Sequence, residues 1–160
     1  MRSRPRLIRS TSRLLGRVRE DRTALLVLDV RGTGALAPHQ FNAHSNESSR
    51  GTLYKLATDL LWLDDSLAAG RVYDVLRALA FVREDSEIAL AGRAIRLFGA
   101  GRGAFLARLA AALDAGVEAP ELEDRPMSAA AVVANRLYPE GAGWQCLIPG
   151  LALKTTLGST

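Results

Sequence analysis

The residues best placed to do chemistry are Gly99-Ala100-Gly101-Arg102-Gly103-Ala104, between the apolar run Ala94-Ile95-Arg96-Leu97-Phe98 and the alanine-rich stretch from Phe105 to Leu113. The pattern reads as a buried strand, a tight glycine turn and a helix. In α/β proteins ligands meet the chain there, at the carboxyl end of a strand and a helix N-terminus whose free amides favour anions. Three chemistries share this geometry. Read as G-x-G-x-x-A, the turn lets a pyrophosphate approach the backbone of a dinucleotide site, with Gly99, Gly101 and Ala104 as the contact positions. That site wants an acidic residue at the end of the next strand, about 20 residues on. Glu118, Glu121 and Glu123 fall there, in a proline-containing stretch that reads as a loop. Read as G-x-G-x-G, the turn fits a methyl-donor nucleotide loop, although Leu97 stands where an acidic residue is wanted. Read as G-x-S-x-G, it is a nucleophile elbow, a strained strand-to-helix bend with small neighbours. Gly101 then occupies the position of the nucleophile, so the bend is kept and the hydroxyl is missing.

Other residues of chemical interest read more plainly. His39 and His44, with Asn42, Asn46 and Glu47, have a spacing poor for zinc and read as a solvated loop. Asp64 and Asp65 are adjacent, so on a helix they point about 100° apart; a helix N-cap before Ser66 explains them better than paired acid–base work. Asp74 faces away from the apolar stripe of its segment, as a surface or salt-bridge residue. Arg102 at a helix N-terminus opposes the helix dipole and is expected to extend into solvent. The single cysteine, Cys146, excludes an internal disulfide and a multi-cysteine metal site, and reads as a small buried hydrophobe. No metal site is expected.

The elements that must position these residues follow from hydropathy. At 160 residues, 48% hydrophobic and 24% charged, the chain is one globular domain's worth, with a core of Leu, Val and Ala because aromatics are only 6%. The net charge of +4 is uneven. Residues 1–22 hold eight Arg against Glu20 and Asp21, which leaves 13 basic and 15 acidic residues in the body. Leu7, Ile8, Leu14, Leu15 and Val18 recur at helical spacing, so this start is a basic amphipathic helix over about 5–20. A targeting peptide and a nucleic-acid arm are weaker alternatives; no aromatic is interleaved to stack on a base.

The continuous apolar run 24–30 has the pattern of a parallel strand buried on both faces. Arg31 to Gly34 turn the chain, and 35–52 form a long polar loop. Leu53, Leu56, Leu60, Leu61 and Leu63 mark a helix that breaks near Asp64-Asp65. Val72, Val75, Leu76, Leu79 and Val82 mark a second over about 66–83, in which Gly70 implies a close packing contact. After a connector, 93–98 is a strand and 104–115 a helix ended by Gly116. The segment 119–126 reads as a loop, 129–134 as a third strand and 144–153 as a short apolar segment. Helices alternating with strands mean a parallel sheet with crossover helices.

Taken together, several segments resemble the α/β-hydrolase superfamily, in its acetyl-xylan-esterase-like branch. Asp29-Val30-Arg31-Gly32-Thr33-Gly34 is similar to that family's "D-x-R-G-x-G" strand end. Gly70 to Leu79 resembles the helix before the elbow strand, Ala110 to Asp114 the end of the helix after it, and Trp144-x-x-Leu147-Ile148-Pro149-Gly150 a later segment. The matches run in order over about 20–153. The resemblance implies a partial α/β-hydrolase fold: α/β, a three-layer αβα sandwich around a short, mostly parallel sheet. Its parts are a basic helix over 1–22, a core over 24–153 and a tail over 154–160. It also implies a degenerate elbow at Gly99, Gly101, Arg102 and Gly103, with the Arg102 amide as the one matching oxyanion donor. The family's triad runs Ser, Asp or Glu, then His. Here no Ser fills the elbow and both histidines precede it. The expectation is therefore a pseudoenzyme or fragment without catalysis or cofactor, able to pair with another domain or itself through open sheet edges. No nucleic-acid or membrane partner is expected. With no signal peptide and no apolar run of about 18 residues, a cytoplasmic location is favoured.

Overall fold

The structure is a computed structural model, and it describes residues 14–16, 18–20, 23–84, 94–124 and 143–151. Residues 14–16 and 18–20 are helical, the part of the expected N-terminal helix that can be described. The expected third strand at 129–134 and the tail at 154–160 lie outside the described residues.

Two helices follow the loop. The first, α1 (Thr52–Trp62), buries Leu53 and Ala57. It ends where Asp64 takes φ 58° and the N–H groups of Asp64 and Asp65 donate to Leu61 O and Leu60 O. That is a Schellman closure with Asp in the left-handed position usually given to Gly. The second helix, α2 (Leu67–Glu84), starts at once. Ser66 Oγ accepts from Ala69 N at 3.0 Å, and Asp65 Oδ1 accepts from Ser66 N at 2.6 Å. Ser66, not an aspartate, is therefore the capping residue; the Asp65 carboxylate and the Asp64 backbone serve the junction.

The sheet is two parallel strands, β1 (Phe98–Ala100) and β2 (Glu121–Glu123), in register Phe98↔Glu121, Gly99↔Leu122 and Ala100↔Glu123. A parallel bridge, Ile95↔Val117, extends the pairing toward the strand starts. Parallel strands need a crossover, and here it is α3 (Arg102–Leu113). This is a small α/β unit. One core packs α2 and α3 on the sheet: Val30, Val72, Val75, Leu79, Leu106 and Ala110 are buried, with Ile95, Leu97 and Val117 against them. Arg83, in the last turn of α2, donates to both oxygens of Asp114 just after α3, at 2.6 and 3.0 Å. The helices' C-terminal ends thus lie together, as expected of two helices on one face of a parallel sheet. A second core joins Leu53, Ala57 and Leu67 to Leu60 and Trp144. There a short 3-10 turn (Trp144–Cys146) meets all three helices.

Three sequence expectations change. The run 24–30 joins no ladder: Leu25, Leu26, Val27 and Leu28 are exposed, Val27 to 80%, and only Val30 reaches the core. A strand buried on both faces needs cover on both, and among the described residues only the α2 side receives any. The segment 119–126 is not all loop, since Glu121–Glu123 is β2; alternating Glu with one Leu gave no apolar run to see. The elbow strand sits later than 93–98, at 98–100, and α3 begins at Arg102 instead of 104 and ends at Leu113, capped by Asp114 before Gly116 is reached.

Candidate functional site

The glycine turn is sharper than its composition requires. Gly101 alone separates β1 from α3, with φ 55° and ψ −120°. That pair lies outside both the right- and left-handed helical regions open to L-residues, so a side chain there is strained. The neighbours explain how the bend is held. A Cβ on Gly99 would overlap Gly103 O, so strand and helix touch backbone to backbone. Gly101 N donates to Glu123 O at 2.9 Å, tying the turn to the end of β2, and Ala104 N donates to Gly101 O at 3.1 Å. A Cβ on Gly101 itself meets only Asp124 O, at 4.0 Å. There is space for a side chain at the tip of the bend and none is supplied.

Arg102, the first residue of α3, does not extend freely into solvent. Its Nη2 donates to Glu47 Oε1 at 2.6 Å, which offsets the unfavourable placement of a cation at a helix N-terminus. The contact draws the 37–51 loop toward the elbow. That loop is stitched by its own side chains: Asn42 Nδ2 donates to Arg50 O, Asn46 Nδ2 to Pro38 O, and His44 N to Asn42 Oδ1. His39 and His44 are exposed, and among the described residues no group of three or more His, Cys, Asp or Glu is placed to hold a metal.

The Asp29–Gly34 segment is a fastening. Asp29 Oδ2 accepts from Ala35 N at 2.9 Å, and a Cβ on Gly34 would overlap that carboxylate. Arg31 grips Asp74 of α2 with its backbone N and Nε on Oδ2, both at 2.9 Å, and Nη2 on Oδ1 at 2.6 Å. This hydrogen bonding holds the Asp74 carboxyl below its ordinary pKa and the Arg31 guanidinium above its own. A Cβ on Gly70 would stand 2.7 Å from Arg31 Nη1, so Gly70 provides the close contact its sequence position implied. Asp74 is thus the salt-bridge residue expected.

Sequence reasoning passed over Arg71 and Gln145, which are 2% and 1% exposed. Arg71 Nη1 donates to Gln145 Oε1 at 2.9 Å and its Nε to Arg31 O at 3.0 Å. The signal was present: Arg71 lies on the stripe of Leu67, Ala68, Val75, Leu79 and Val82, a cation at a core position. Gln145 carried none. Cys146 beside it is half-buried; burial pushes its thiol pKa up, against the pull of Arg102 and Arg71.

The arrangement offers a strained backbone tip, an ion pair beside it and a buried cation. Comparisons of the chain with protein-family models, with curated proteins and with solved structures find no match.

Proposed function

We propose that the chain is an α/β-hydrolase-like domain, similar to the acetyl-xylan-esterase-like branch, whose elbow has lost its nucleophile and which is non-catalytic alone. One observation carries this reading: a single residue, Gly101, turns β1 into α3 at φ 55° and ψ −120°, with Gly99 packed on Gly103. A nucleophile elbow needs this strained bend and these small neighbours. The fastening of Asp29, Arg31 and Gly34 supports the same family frame. In this reading α2 and α3 are one helical layer of a three-layer αβα domain. The exposed run Leu25–Leu28 and a sheet of only two described strands favour pairing with another domain or a second copy. Light scattering behind gel filtration tests that pairing. Among the described residues no helix is long and apolar enough to cross a membrane.

Purified protein is expected to turn over p-nitrophenyl acetate no faster than buffer. Gly101→Ser is expected to fold, to lose about 1–2 kcal/mol to backbone strain, and still to lack efficient turnover, because this reading provides no base or acid among the described residues to serve the new hydroxyl. A burst of nitrophenolate from the wild type, abolished by changes at Arg102, would overturn the proposal.

A second reading has one observation in its favour. β2 ends at Glu123, the acidic strand end that a dinucleotide site at Gly99, Gly101 and Ala104 wants about 20 residues on. Against it, the Gly101 amide is already spent on Glu123 O, and the turn has one residue in which to cradle a pyrophosphate. Melting with NAD, NADP and S-adenosylmethionine separates the two; no shift at millimolar ligand removes the nucleotide reading.

A further inference from the structure

We propose that Arg71, Gln145 and Trp144 form a binding site for a small oxyanion, a carboxylate or phosphate group, in the seam between α1, α2 and the Trp144–Cys146 turn. The proposal stands on residues apart from the elbow and does not depend on the hydrolase-like reading.

Arg71 is a cation 98% out of water. Its two hydrogen bonds go to neutral oxygens, Arg31 O and Gln145 Oε1. The two carboxylates whose fields reach it are engaged elsewhere, Glu47 with Arg102 and Asp74 with Arg31. A guanidinium removed from water is costly unless an anion answers it. Its Nη2 is buried with no acceptor among the described residues, and the same holds for Gln145 Nε2 and Trp144 Nε1. Because Gln145 Oε1 accepts from Arg71, the amide orientation is fixed and Nε2 is a true donor. The fourth such atom, Asn46 Oδ1, is an acceptor on the 37–51 loop.

The three orphans of the seam are thus all donors, beside a positive charge. A water would accept from two of them at most, and it would bring two donors of its own and no charge. An oxyanion is acceptor-only and supplies the missing charge, which is the stronger, charge-assisted match. A Cβ on Gly32 would stand 3.2 Å from Nη2 and 2.6 Å from Leu53 Cδ2, so glycine at this position keeps a further side-chain atom off the guanidinium edge. Tyr54 holds the Trp144 ring edge-on, with centroids 5.4 Å apart, so the indole N–H is fixed in place. Burial and the like charge of Arg102 both lower the Arg71 pKa, an effect that a bound anion would reverse.

The test uses the full chain carrying Trp62→Phe, which removes the exposed second tryptophan and leaves Trp144 as the only indole. Sodium phosphate, sodium acetate and adenosine monophosphate are titrated against sodium chloride at equal ionic strength. Phosphate or acetate is expected to change Trp144 emission along one saturable curve and to raise the melting temperature by about 5 °C at a hundredfold excess over Kd. A response to the free ions alone assigns the site to a free oxyanion. An equal or larger response to the nucleotide assigns it to a phosphate carried on an organic ligand. Arg71→Met should weaken the response at least tenfold. Gln145→Glu places a carboxylate on Arg71; it should raise the melting temperature without added anion and abolish the response, a gain that misfolding cannot imitate. No difference from chloride, or an unchanged response in Gln145→Glu, would overturn the proposal.

Discussion

Two glycine turns in this chain look alike in composition and are built in different ways. The turn at 32–34 is closed by side chains: the Asp29 carboxylate caps Ala35 N, and Arg31 reaches across to Asp74. The turn at 99–103 is closed by backbone: Gly99 lies on Gly103, and Gly101 N reaches Glu123 O. In the first, Asp29, Arg31 and Asp74 are spent on holding the turn. In the second, the fold is held without any side chain at the tip. The second therefore leaves its tip unused by the fold, and Gly101 supplies no side chain there.

The largest effect that tests this contrast is at Gly99. Gly99→Val sets a branched side chain into Gly103 backbone, which cannot rotate away, so β1 and α3 must separate. The expected loss is about 3 kcal/mol by urea unfolding, at the upper end of overpacking costs. Gly103→Ala, where a Cβ meets nothing within 4 Å, should be neutral or stabilising by up to about 1 kcal/mol. If both glycines tolerate alanine and valine equally, strand and helix do not touch as described.

This contrast also marks what the sequence could show. The strand–turn–helix frame was legible because Ile95, Leu97 and Phe98 precede three glycines and an alanine-rich helix follows. The break at Asp64-Asp65 and the helical stripe of α2 were legible for the same reason, period and interruption. The strand β2 was not, because Glu121-Leu122-Glu123 is stabilised by its neighbour β1 and not by any apolar run. The run 24–30 misled in the opposite direction: its hydrophobicity promised burial that its surroundings among the described residues do not give. Within the candidate site, the bend was legible and the Glu47–Arg102 pair was not, since 55 residues separate the partners.

A middle-sized effect is expected at the side-chain-built turn. Asp74→Ala strips three hydrogen bonds from Arg31 and should cost about 2 kcal/mol. The pH dependence has a defined sign. Because Asp74 has a folded pKa below its unfolded value, the stability it contributes is fully present above about pH 4 and is lost as pH falls through the folded value. Asp74→Asn should therefore be less stable than wild type at pH 7, and the gap should narrow on acidification toward pH 2. A gap independent of pH would mean that the carboxylate charge is not what fastens the turn.

The smallest effect lies where the two modes of construction meet, at Glu47 beside the elbow. Its ion pair with Arg102 is short, but both side chains are well exposed, at 55% and 37%. Exposed pairs gain little because water screens them and two long side chains must be ordered. Glu47→Gln should change stability by no more than about 0.5 kcal/mol in low salt, and the difference should fade at about 1 M salt, where the screening length is about 3 Å. A backbone-built elbow predicts this indifference, since Gly99, Gly101 and Gly103 hold the bend whether or not the loop is drawn toward it. A loss comparable to that of Gly99→Val would show instead that the 37–51 loop holds the elbow in place, and would erase the distinction between the two turns.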